Sequence, residues 1–241
     1  MRLAVLSDIH GNLLALEAVR HELKAMSPDL IVNLGDCVSG PLWPEETAQY
    51  LIAEQWPTVR GNHDRMLIET VADDLDAVDT FAHRSLSQAS LSWLAALPVN
   101  HRIENDVLLC HGSPLDDEIF LLEEDGDDHF YPSSESQIRD KLGIIKAALV
   151  LCGHTHSPRA VSLSNGPTIL NPDSVGVQAF PGLTLTGSPH ARFAIATRRE
   201  AVWSFSQHVI DYDWNAASTC ARSNGQPDWA YALATGYGQE S

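Results

Sequence analysis

Five times in the first two thirds of the chain, a short apolar run stops at polar residues able to hold a metal. "LAVLS" runs into Asp8-Ile9-His10, "LIVNLG" into Asp36, and "PTVRG" into Asn62-His63-Asp64. "DVLLCHG" ends in His111-Gly112, and "ALVLCG" runs into His154-Thr155-His156. Runs of this length and texture predict strands buried on both faces. Ligands of α/β sheets gather at the carboxyl ends of the strands. The five clusters are therefore expected to share one rim of an α/β fold.

Taken singly, each cluster has an ordinary explanation. Asp beside His is common on surfaces, Gly35-Asp36 suits a turn, and His111 alone would pass for a satisfied core histidine. Five such clusters, each behind a strand, are hard to explain as turns. Asp8, His10, Asp36, Asn62, His111, His154 and His156 offer more donors than one ion needs, and a shared carboxylate would suit two. The mixture of imidazole and carboxylate fits manganese first, then iron, zinc, cobalt or nickel, and disfavours calcium. Two divalent ions outweigh two aspartates, so the pocket would be positive and suited to a phosphate ester.

Between the first two runs, Leu13, Leu16, Val19, Leu23 and Met26 recur at helical steps. "PEETAQYLIAEQ" predicts a helix opened by Pro44. A longer helix is expected over 79–96, and Ser134 with Gln137 predicts a capping box for a helix to about Lys146. After residue 160, "TILNP", "ARFAIAT" and "AVWSFSQHVI" read as strands, and "PDWAYALATG" as a short helix. We expect one domain over 1–241, with the motifs in about 1–176 and the remainder packed on it. The acidic stretch 115–132 lacks the spacing of a calcium loop and reads as a solvated loop flanking a pocket mouth.

The net charge is −17, from 32 acidic and 15 basic residues. This argues against stable nucleic-acid binding, which needs basic tracks, and against an anionic membrane surface. The N-terminal apolar run is too short for a signal peptide. Cys37, Cys110, Cys152 and Cys220 read as small buried hydrophobes, and a cytoplasmic location is expected. Composition leaves the oligomeric state open.

"DIHGN", "LGD", "RGNHD", "CHGSP" and "GHTHSP", in this order, resemble the calcineurin-like metallophosphoesterases, most of all their small bacterial phosphodiesterase and phosphatase branch. The motifs span 1–160, and "NPDSVG" (171–176) extends them. The resemblance implies an α/β/β/α sandwich of two mixed sheets flanked by helices. It implies that Asp8, His10, Asp36 and His156 hold one ion and Asp36, Asn62, His111 and His154 the other. His63 matches the catalytic histidine and Asp64 the residue that orients it. The implied reaction is hydrolysis of small phosphate mono- or diesters, including nucleotides, by a hydroxide held between the ions. Phosphoproteins and dinucleoside polyphosphates are alternative substrates. A non-catalytic scaffold, like the retromer subunit of this fold, would be expected to have lost ligands that this chain keeps. Asp173 stands where relatives usually have glycine. Asn12 is either a phosphate donor or a helix N-cap. Arg60 would pair with phosphate or with a site carboxylate.

Overall fold

The computed structural model describes residues 1–126, 130–180, 187–200 and 202–238. The strands are β1 (Arg2–Leu6), β2 (Leu30–Asn33), β3 (His101–Ile103), β4 (Val107–Leu109), β5 (Glu123–Asp125) and β6 (Phe130–Pro132). They continue with β7 (Leu149–Leu151), β8 (Arg159–Ser162), β9 (Thr168–Asn171), β10 (Ala191–Arg199) and β11 (Val202–Ile210). The helices are α1 (Leu13–Met26), α2 (Pro44–Glu54), α3 (Asn62–Glu69), α4 (Ala77–Ser85), α5 (Gln88–Ala96), α6 (Glu135–Leu142), α7 (Trp214–Ser223) and α8 (Pro227–Thr235). None is long and apolar enough to cross a membrane.

Two mixed sheets carry the fold. One has the order β11-β10-β1-β2, with β1 parallel to β2 and antiparallel to β10. The other has the order β3-β4-β7-β9-β8, with β4, β7 and β9 parallel. Alternation along the strands explains the layering, since neighbouring side chains point to opposite faces. Leu3 and Val5 of β1, and Ala194 and Ala196 of β10, meet Leu109, Leu149, Leu151 and Leu170 between the sheets. Ala4, Leu6, Phe193 and Ile195 face the other way, onto Leu16, Val19 and Leu23 of α1. Leu108, Val150 and Ile169 turn from the inter-sheet core toward Ile138 and Leu142 of α6. The four-layer α/β/β/α arrangement follows from this parity.

Several elements differ from expectation. "PTVRG" makes one parallel bridge, Thr58 to Asn33, and then turns away. Pro57 has no N–H for a ladder, and Gly61 caps α3. The helix expected over 79–96 is two helices, because Leu86 is extended and the Ser87 side chain accepts from the Ser90 N–H to start α5. The Ser134/Gln137 capping box is present, but α6 ends at Gly143, where φ is +65°. The acidic stretch contains the β5–β6 ribbon, with Asp117 and Glu118 paired to Arg65; its residues 127–129 lie outside the described set. Two C-terminal helices, not one, pack against Leu42 and Val177.

Leu109 is fully buried between the sheets. Leu109→Ala should lower unfolding free energy by about 2–5 kcal/mol, read as a reduced denaturation midpoint. A loss below about 1 kcal/mol would contradict tight packing of the two sheets.

Candidate metal centre

The chain delivers its polar clusters on loops that leave β1, β2, β4 and β7, and on the first turn of α3. The loop after β1 lies along the loop after β2: Asp8 N–H donates to Gly35 O, His10 N–H to Asp36 O and Gly11 N–H to Cys37 O, at 2.9–3.1 Å. The segment after β9 closes the other side through Val175 N–H to Ser7 O and Ser174 Oγ to Asp8 O. These bonds bring together two triplets, Asp8/His10/His156 and Asp36/His111/His154.

Hydrogen bonding decides where the imidazole lone pairs point. His10 Nδ1 lies 2.8 Å from Ser39 O, and His111 Nδ1 lies 2.8 Å from Leu34 O. A carbonyl only accepts, so each Nδ1 carries a proton and each Nε2 faces inward, where it offers a lone pair once a cation takes the place of any proton there. His111 Nε2 is 3.3 Å from Asp36 Oδ2 and 3.0 Å from Asn62 Oδ1. His10 Nε2 lies 3.3 Å from His156 Nε2, and His156 Nε2 lies 3.4 Å from Asp8 Oδ1. Asp8 Oδ1 is buried without a hydrogen-bond partner among the described residues. Crowded lone pairs with an orphaned carboxylate oxygen are what a cation relieves. The donor set therefore fits two divalent ions.

The proton affinities agree. Burial alone would raise the Asp8 carboxyl, but the His156 and His111 charges outweigh it and pull it down to about 2. Burial would lower His111, yet Asp36 and Asp8 push it up to about 10. This cluster draws positive charge, as protons or as metal.

His63, on the first turn of α3, stands beside the triplets. Its N–H donates to Asp36 Oδ1 at 3.0 Å, and its ring centroid lies 5.7 Å from that of His10. Burial disfavours its charge, but Asp36 first and then Asp79 raise it to about 9.

The family profile described as "Calcineurin-like phosphoesterase" matches residues 1–158. The chain belongs to the calcineurin-like phosphoesterase family. This is a family of hydrolases. The chain is similar to the crystal structure of a metallophosphoesterase from Sphaerobacter thermophilus, at 26% identity and TM-score 0.76 over 98% of this chain and 100% of that one. Uncharacterized protein MJ0912 of Methanocaldococcus jannaschii is 27% identical over 166 residues, 65% of this chain and 63% of that protein. The match thus spans less than two thirds of that relative's length.

Two sequence expectations, for Asp64 and Arg60, are corrected, and of the two readings of Asn12 the N-cap is the one the structure shows. Asp64 does not touch His63. Its two oxygens accept from Gly61 N–H and Cys37 N–H, tying the β2 loop to the start of α3. The carboxylate beside His63 is Asp79 of α4, 3.2 Å from Nδ1 and itself bonded to Ser39 Oγ. Nothing in the motifs singles out Asp79; its helix is brought in by packing against α3. Asn12 is fully buried, accepts from Ala15 N–H and donates to Gly176 O and Tyr212 Oη. It is an N-cap, with its amide consumed. Arg60 pairs with Glu69 at the far end of α3 at 3.1 Å, not with a site carboxylate.

Cys37, Cys110 and Cys152 are buried, Cys220 is half-buried, and all four are free. His83, His190 and His208 join neither triplet, and His129 lies outside the described residues. Asp173 occupies its glycine-like position at φ +74°. Aspartate tolerates that region better than most residues, and its carboxylate is held by Arg192 at 2.9 Å.

Gly153, before the histidine pair, has no room for a side chain: a Cβ would collide with Ser7 Oγ and approach Asp8 Oδ2. Gly153→Ala should weaken manganese binding about tenfold or more by shifting Asp8, measured by calorimetric titration. Unchanged affinity would show that Asp8 needs no such support.

Proposed function

We propose that the protein hydrolyses phosphate mono- or diesters of small molecules or nucleotides, using two divalent transition metal ions, manganese foremost. The observation that carries this reading is the pair of Asp/His triplets with His63 alongside. Asp8, His10, Asp36 and His156 would hold one ion. Asp36, Asn62, His111 and His154 would hold the other, so Asp36 is shared and the two histidines of "GHTH" part company. Bound there, the ions would supply an activated water and neutralise the phosphoryl oxygens.

The chain's own residues do the rest. His63 directs Nδ1 to Asp79, which leaves Nε2 to carry a proton to the departing oxygen. Asp79 holds the ring in that orientation, and Ser39 holds Asp79. Four unpaired cysteines accord with a reducing, cytoplasmic setting.

Purified protein reconstituted with manganese should carry close to two ions per chain by elemental analysis, and finding none would remove the dinuclear reading. His63→Ala should keep the metal and lose about 10²–10⁴ in kcat on an aryl phosphate. Asp79→Asn should lose less than His63→Ala, with the loss steepening as the leaving group becomes more basic. An equal loss for good and poor leaving groups would detach Asp79 from proton delivery.

A further inference from the structure

Beside the metal centre opens a cavity of about 440 Å³, within the size of small-molecule sites (about 300–1,000 Å³). His10, Asp36, His63, His154 and His156 form the polar part of its lining. The remainder is mostly apolar: Val177, Ala179, Phe180, Trp229 and Ala232, with exposed Asp228 beside Trp229. The Trp229 ring stands edge-on to His10 at 5.8 Å and 72°. The Phe180 ring stands edge-on to His156 at 5.7 Å and 82°. Two aromatic side chains from distant parts of the chain thus rise from the same metal-binding triplet.

The charge of this lining is as telling as its shape. No lysine or arginine lines it among the described residues, and 127–129, 181–186, 201 and 239–241 contain none. Cations close in sequence to the site are already engaged: Arg65 by Asp117 and Glu118, Arg192 by Asp173 and Arg60 by Glu69. Among the described residues, a substrate's negative charge is therefore met at the metal centre and at His63 beside it. A second phosphate on the leaving group would enter an apolar space next to Asp228, at a high desolvation cost.

We propose that this cavity is the leaving-group site, and that it takes a neutral group with a planar apolar ring attached to one phosphoryl group: an aryl alcohol or a nucleoside. Leaving groups bearing further phosphates are rejected. The proposal rests on the phosphoesterase reading above. In the reaction, water sheds one proton to solvent, from which His63 is later recharged, and its oxygen, keeping the other proton, bonds to phosphorus as the ester P–O bond breaks. The electron pair of that bond goes to the leaving oxygen, and His63 supplies its proton. The neutral alcohol is left against Trp229, with no charge to hold it there.

The test has two arms. In the first, binding of the neutral products adenosine and 1-naphthol is measured by calorimetry without turnover. Wild type should bind both, Trp229→Phe should retain binding, and Trp229→Ala should weaken it about tenfold or more. Ala232→Phe, which fills the cavity and leaves Trp229 in place, should abolish it even if Trp229→Ala does not fold. In the second, manganese-loaded protein is assayed on 1-naphthyl phosphate, AMP, glycerol phosphate, ATP and diadenosine tetraphosphate. The ring-bearing monophosphates should exceed the others in kcat/KM by at least about tenfold, and Trp229→Ala should collapse that ratio. Equal turnover of AMP and ATP, or product binding indifferent to both cavity variants, overturns the inference. Loss of turnover on every ester, with product binding intact, would strike the phosphoesterase reading instead.

Discussion

The carboxylate of Asp36 is the point on which the centre depends. It is almost wholly buried, 2% exposed, yet it faces His111, His10 and the N–H that opens α3. Burial alone would raise its proton affinity, but the charges of His111 and His63 hold it well below the usual carboxylate range. A buried negative charge must be compensated, and the fold compensates it by converging imidazoles from three other loops. Space for this is made by glycine. A Cβ on Gly61 would collide with Asp36 Oδ1, so α3 can begin against the aspartate only because that position has no side chain. Two sheets and a helix are thereby committed to a single charge.

The backbone at the centre is correspondingly unusual. Asp8, His10, Asp36, His154 and His156 all have φ between +47° and +71°, a region that non-glycine residues visit at a cost. Parallel loop-to-loop hydrogen bonds hold them there. The consequence is functional. In an extended strand, residues two apart would share a face. His154 and His156 are both left-handed, so the chain turns between them and their rings enter different triplets. The strain is what lets one strand end serve both halves of the centre.

Charge is divided in space as well as in sequence. The chain is acidic overall, while the centre gathers histidines around two buried aspartates and so attracts cations. Arg60, Arg65 and Arg192 are held in ion pairs with carboxylates of the chain itself. The cavity's apolar wall comes from α8 and from the segment after β9, well beyond the motifs.

Much of the fold and nearly all of the cluster were legible in the sequence, because strand ends and metal donors leave local signatures. Apolar runs ending in Asp or His placed the donors on a common rim, and capping residues placed Pro44 and Ser134 at helix starts. What escaped was decided between elements. Ser87 split a helix whose apolar spacing looked continuous. Asp79 replaced Asp64 beside His63, because Asp64 was already committed to two backbone amides and packing carried α4 to the histidine. Asn12 and Arg60 carried the right chemistry but were consumed by an N-cap and an ion pair. Trp229 reached the cavity from over two hundred residues beyond the first motif. Sequence alone determined which atoms could bind metal, since that is a property of residue type and strand periodicity. Tertiary structure decided which side chains were still free to act, since every hydrogen bond or ion pair already made removes a group from the chemistry.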